Sequence, residues 1–398
     1  MSSSRRAAAL AALSLAVLLA HPGRALARRT MTVHVPPFDV PAFHNREICT
    51  FVPLRVHKPM DLSEVVIVNQ GGTTGFTSHH LIVYAYQANL QALVPSAGKV
   101  VDDSACLKLG SGNPRALQIV ATSQAPTSRQ KMPPGTALRI EPQAGAGPRP
   151  IVGLVLNSHW INGTDSVKRA RATVKLVLAN PRTVKRQLKP IFEAVASGFI
   201  NVPPGKVGME GWDWGPGIFD FGGFFGGTTN PTGPACVTML ISHMHRRGIL
   251  FTEDLVATDA TKTRLYSNTV YSDPPTLNLS PPMLVHPGEK IHYECTHDNA
   301  TDPKLGCEEQ AGMAPGKSVL ETLPALSLTA AAKGCKTQGP DPTECPPTDP
   351  AYPGRTFTGN CVQANLVFGF NSDDDMCIMP GYYYDADPAA PAGHECDL

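Results

Sequence analysis

The chain has 398 residues, enough for two domains of ordinary size, a net charge of +1 and only 17% charged residues. No basic stripe runs along it, so nucleic acid is set aside as a partner. Pro (38) and Gly (35) are abundant and spread throughout, the punctuation of many short strands and loops, so composition predicts an all-β protein.

The N-terminus reads as a secretory signal over residues 1–27. Arg5-Arg6 is a positive opening, Ala7 to Ala20 an apolar stretch, and Ala25-Leu26-Ala27 a small-x-small cleavage site. The mature chain is expected to begin near Arg28, secreted or periplasmic. The apolar run is too short to span a bilayer and no later segment approaches that length, so no transmembrane segment is expected. Ten cysteines, an even number with no Cys-x-x-Cys pair, point to disulfides rather than a zinc ribbon or a thioredoxin-like motif.

Met31 to Pro53 is strand-like, with Arg46 to Val52 an early strand, and Glu64 to Asn69 is another. Gly71 to Gly75 then turns the chain into His79-His80. Adjacent residues on a regular strand face opposite ways, so both imidazoles meet one metal only at a strand end or a bulge; otherwise one binds and the other packs. Leu81 to Tyr86 follows as a buried strand. Residues 87 to 150 are loop-rich, with a turn at Pro133-Pro134-Gly135. Ile151 to Leu156 is a short apolar run that suits a central sandwich strand. It delivers Asn157-Ser158-His159-Trp160, with His159 at the strand end either structural or a ligand. Asn162-Gly163-Thr164 matches a glycosylation sequon, a common triplet. Ala172 to Leu178 closes a first domain over residues 28–180. The polar, basic, proline-bounded stretch Asn180 to Pro190 reads as a linker into a second domain over 181–398.

In the second domain, residues 207–233 are expected to form a Gly- and aromatic-rich loop containing Trp212-Asp213-Trp214. Val237 to His245 reads as a strand on which His243 and His245 point the same way. Two neutral imidazoles so placed make half a metal site, and Met376 is the candidate third ligand. A thioether beside imidazoles selects copper over zinc, magnesium or manganese. Its alternative role is core filler. Asp373-Asp374-Asp375 is expected to be a solvated turn that at most attracts a cation. Strands are expected near Tyr266 to Tyr271 and Lys290 to Cys295. A Cys- and Pro-rich insertion at about 300–362 holds Cys307, Cys335, Cys345 and Cys361, with three possible pairings.

Three signatures together resemble a known family: Ser78-His79-His80-Leu81-Ile82-Val83-Tyr84, Leu156-Asn157-Ser158-His159-Trp160, and His243-Met244-His245 with Asp375-Met376-Cys377. Their order and wide spacing are similar to those of the copper type II, ascorbate-dependent monooxygenases, which include the peptidylglycine α-hydroxylating and dopamine β-monooxygenases. The resemblance spans about Cys49 to Cys396. It implies two tandem jelly-roll-like antiparallel β-sandwich domains and two copper ions per chain. One copper would be held by His79, His80 and His159 and would store an electron. The other would be held by His243, His245 and Met376 and would meet O2. Ascorbate or a similar reductant recharges both, and a C–H bond of a small-molecule substrate is hydroxylated. The resemblance also implies disulfides Cys295–Cys377 and Cys236–Cys396, which leaves Cys49 and Cys106 to pair with each other. The sequence departs from the peptide-amidating members at Ile241, where they carry an arginine for a substrate carboxylate, and at Ile378-Met379-Pro380. A small apolar or aromatic substrate is therefore expected rather than a glycine-extended peptide. The alternative is a non-catalytic secreted or periplasmic copper-binding protein of the same fold.

Overall fold

The computed structural model describes residues 29–42, 44–54, 56–86, 100–102, 117–142, 152–203, 206–218, 230–245, 247–271, 274–299, 366–368 and 375–398. The signal segment, Cys106, Asp373, Asp374 and the whole 300–362 insertion lie outside them. The chain opens with strands β1 (Thr30–Val40), β2 (His44–Leu54), β3 (Met60–Gln70), β4 (Phe76–Tyr86) and β5 (Val100–Asp102). Next come β6 (Leu117–Ser123), β7 (Thr127–Lys131), β8 (Thr136–Ile140), β9 (Val152–Asn162) and β10 (Lys168–Leu178). The second half holds β11 (Arg186–Glu193), a 3-10 turn at Val195–Phe199, β12 (Asn201–Val202), β13 (Lys206–Trp214), β14 (Ala235–Leu240) and β15 (Gly248–Val256). It ends with β16 (Lys262–Asn268), β17 (Leu277–Val285), β18 (Lys290–Asn299), β19 (Leu366–Val367) and β20 (Met379–Asp385). No α-helix occurs among the described residues, and none is long and apolar enough to cross a membrane.

The protein is an all-β sandwich. A nine-stranded sheet in the order β1-β10-β3-β8-β11-β20-β14-β17, with β7 also on β3, runs through both halves of the chain. Its pairings are antiparallel except β11 with β8. A five-stranded sheet, β5-β2-β9-β4-β6, shares one buried cluster with the β1-β10-β3-β8 side, including Val35, Ile67, Leu81, Leu156, Trp160 and Val174. A four-stranded sheet, β13-β18-β15-β16, shares a second cluster with the β11-β20-β14-β17 side, including Ile191, Trp214, Val237, Phe251, Tyr293 and Tyr383.

The sequence explains the layers. In β10, Ala170, Ala172, Val174 and Leu176 are buried while Arg169, Arg171 and Lys175 are not, the alternation of a sheet with one wet face. β9 lies between β2 and β4, and ten of its eleven residues are buried, first the apolar run Val152 to Leu156 and then the polar Asn157, Ser158 and His159. In β20, Tyr382 and Tyr384 enter the first core and Tyr383 the second, so one strand of alternating side chains walls off the two clusters.

Four local expectations are corrected. Only residues up to 185 in the basic stretch connect the halves, because β11 begins at Arg186 and Lys189 and Pro190 pair with β20. Trp212 and Trp214 sit on β13 rather than in a loop: Trp214 packs edge-on against Tyr383 and Trp212 stacks on Phe199. The strand into His243 stops at Leu240. His159 is inside β9, which continues to Asn162.

Two disulfides, Cys236–Cys396 and Cys295–Cys377, join segments 160 and 82 residues apart. Both match the pairings implied by the resemblance. Cys49 is also disulfide-bonded. Where β20 crosses a bulge in β14, a Cβ at Gly381 would run into the Met239 carbonyl oxygen. Gly381→Ala is therefore expected to lower stability by about 1–3 kcal/mol, read as a reduced midpoint in denaturant unfolding.

Candidate metal centre

β4 and β9 pair Ser78 with Trp160 and then His80 with His159, so His79 is the extra residue of a bulge. A bulge turns a side chain that would face the opposite side of the sheet. The three rings meet: centroids are 5.3 Å apart for His79 and His80, 5.1 Å for His79 and His159, and 5.2 Å for His80 and His159. One ring nitrogen from each lies within 4.8 Å of the others, and all three side chains are buried. The condition set by the sequence for two adjacent histidines to serve one ion is thus met by a bulge.

The orientation of His80 follows from its neighbours. Glu47 Oε1 accepts a 2.7 Å hydrogen bond from Asn157 Nδ2. A carboxylate only accepts, so the amide oxygen of Asn157 faces the other way, 2.8 Å from His80 Nε2. That nitrogen must carry the proton, which leaves the Nδ1 lone pair of His80 facing the cluster. Nδ1 of His80, Nε2 of His79 and both ring nitrogens of His159 are buried without a hydrogen-bond partner.

The second pair is held by backbone. His243 and Ile378 exchange hydrogen bonds of 3.0 and 3.1 Å in an isolated antiparallel bridge. Counting outward from it puts His245 level with Met376. One oxygen of Asp375 accepts from both His245 N–H (2.8 Å) and Met376 N–H (2.7 Å). Ser197 Oγ accepts from Cys377 N–H and donates to the Cys377 carbonyl, and the Cys295–Cys377 disulfide anchors the same segment. His243 and His245 lie 5.3 Å apart nearly perpendicular, and His243 Nδ1 is 3.4 Å from Gln124 Oε1. Met376 is buried with Ala194, Phe368 and Ile378. Because His79 and His245 are also 5.4 Å apart, the five imidazoles form one continuous run.

Asp375, expected in a solvated turn, is fully buried. Its second oxygen is 3.1 Å from His297 Nδ1, and His297 Nε2 is 3.4 Å from Glu210 Oε2. Burial pushes the Asp375 carboxyl up, but the charge and hydrogen bond of His297 hold it below its usual value. Burial, reinforced by Asp375 and opposed by His297, raises Glu210 to about 7.

Burial first, then the neighbouring imidazoles, lowers His79 well below the ordinary histidine value. Burial lowers His159 to about 3, with Glu47 opposing and His80 and His245 adding to the shift. Burial and His245 lower His243 well below as well. Neutral imidazoles with open lone pairs are ligands in their binding state. Three of them converging without cysteine or carboxylate suit a borderline transition-metal ion and leave room for an exogenous ligand. The residues present therefore fit a metal.

Sequence reasoning missed Glu47, Gln124 and His297. For Glu47 the available signal was that it is the one acid in the expected early strand Arg46 to Val52. No protein-family model matches the chain, and no curated protein matches it. Among solved structures, the PBSX exported protein XepA aligns over 67% of this chain and 86% of its own, with 7% identity and a TM-score of 0.14.

Depressed histidine values make the metal-free fold depend on pH in a defined direction. The neutral forms stabilise the fold fully above 6.5, and that stability is lost as pH falls from there toward the folded value, about 3 for His159. The urea midpoint of metal-free protein is expected to fall between pH 7 and 4.5. His159→Leu should flatten that slope in part; an unchanged slope would show that the His159 ring is not held neutral.

Proposed function

We propose that this chain is a secreted, copper-dependent monooxygenase that hydroxylates a C–H bond of a small organic substrate, using O2 and an external reductant such as ascorbate. The observation that carries the reading is the convergence of five histidines from separate segments, with buried lone pairs left open on His79, His80 and His159. The three signatures in their family order support it, as do the two disulfides, which suit an oxidising compartment.

His79, His80 and His159 would hold one copper; His243 and His245, with Met376, would hold the other. Copper bound there would supply electron storage and O2 activation, so that substrate, O2, two electrons and two protons give an alcohol and water. The protein's part is orientation and exclusion of water. The bulge sets the three-histidine geometry, and Asp375 fixes the spacing between the His243-x-His245 segment and Met376 by gripping both backbones. Phe368 and Ile378 keep the surroundings of Met376 apolar. Ile241 packs against the first core, in the place where a carboxylate-binding arginine would make peptide binding possible. A small apolar or aromatic substrate suits that chemistry.

Copper-loaded full-length protein, supplied with ascorbate and O2, tests the proposal against phenethylamines, simple aromatics and glycine-extended peptides. The expected result is two coppers per chain, reductant-dependent O2 uptake and a hydroxylated small molecule. Copper binding without turnover would identify a copper-binding protein, and no copper binding would remove both readings. Met376→Ile is expected to keep the fold and the three-histidine copper while abolishing oxygenation. Normal turnover by that variant would exclude a ligand role for the sulfur.

A further inference from the structure

Glu47 is an acid in β2, directly opposite His159 in the β2–β9 register. Its side chain is 12% exposed, and Oε1 lies 3.4 Å from His80 Nε2 as well as accepting from Asn157. A carboxylate in such a place is costly unless it faces positive charge. Its neighbour Arg46 does not supply that charge: strand alternation turns it away, and its guanidinium donates to the Asp39 carbonyl and covers Phe38. Among the described residues, the groups around the carboxylate are His80, Asn157, His159 and Tyr84. Its Oε1 accepts from the Asn157 amide and faces the His80 Nε2–H, the surroundings of a carboxylate that acts only as an acceptor.

An imidazole that gives its Nδ1 lone pair to a metal is not protonated there. The positive charge facing Glu47 is then that of the ion, transmitted through a His80 ring whose Nε2–H is fixed by Asn157. We propose that Glu47 is a positioning residue that locks His80 with Nδ1 toward the metal and biases the three-histidine site toward a doubly over a singly charged ion. The inference rests on the reading that this site takes copper. It divides labour between the two histidine groups, because the charge of Glu47 stabilises Cu(II) at His79, His80 and His159, the oxidation state in which that site has already given up its electron.

The test uses full-length protein carrying His243→Ala and His245→Ala, so that only the three-histidine site is read. Cu(II) and Cu(I) affinities are measured separately by competition with chelators, with a thermal melt to confirm folding. Glu47→Gln is expected to weaken Cu(II) binding by about 10–100-fold and Cu(I) binding by at most about a few-fold, and to shift the Cu(II) electron paramagnetic resonance spectrum. Glu47→Asp should keep most of the native ratio of the two affinities. Asn157→Leu, which removes the link but keeps the charge, should lower both affinities together. Glu47→Met replaces Glu47→Gln if the latter does not fold. Equal losses of Cu(II) and Cu(I) on removing the charge, or no loss, would overturn the inference while leaving the copper reading intact. A parent chain that binds no copper would overturn both.

Discussion

The centre depends on burying uncharged imidazoles against one another. The rings lie at centroid distances of 5.1 to 5.4 Å, and burial together with the neighbouring rings holds His79, His159 and His243 well below the ordinary histidine value. The fold therefore keeps these side chains in the form that offers lone pairs. The unsatisfied ring nitrogens of His79, His80 and His159 are an energetic cost within the protein alone, and one that a metal ion would offset.

That arrangement needs rigid support from two directions. The five-stranded sheet supplies one histidine group on its central strands, β4 and β9, where pairing on both sides leaves the backbone little freedom. The other group sits just past the end of β14, where ladder pairing has stopped. There the grip comes from the His243–Ile378 bridge, the doubly accepting Asp375 and the Cys295–Cys377 disulfide. The buried Asp375–His297–Glu210 chain in turn keeps Asp375 ionised. The two supports are joined through the nine-stranded sheet, whose strand β20 contributes tyrosines to both cores.

A carboxylate accompanies each histidine group, and each does different work. Asp375 meets backbone N–H groups and so fixes where a ligand's main chain runs. Glu47 meets an amide and an imidazole and so fixes which nitrogen of a ligand carries a proton. The first holds two backbone segments at a fixed distance and the second orients a ring, and neither residue belongs to the cluster of converging imidazoles.

Much of this protein was legible in its sequence. Abundant Pro and Gly, short apolar runs and alternating stretches such as Ala170 to Leu176 specify strands, because side-chain period and turn chemistry are local properties. The candidate histidines could be named from motif and order, and two disulfide pairings from the family resemblance. Only the tertiary structure decided that β4 bulges at His79, that β14 ends before His243, that Asp375 is buried, and that His79 and His245 touch. It also decided that Glu47, 112 residues from His159, stands beside it. The physical reason is that bulges, strand ends and burial are set by which strand lies alongside, and pairing partners far apart in the chain leave no local pattern.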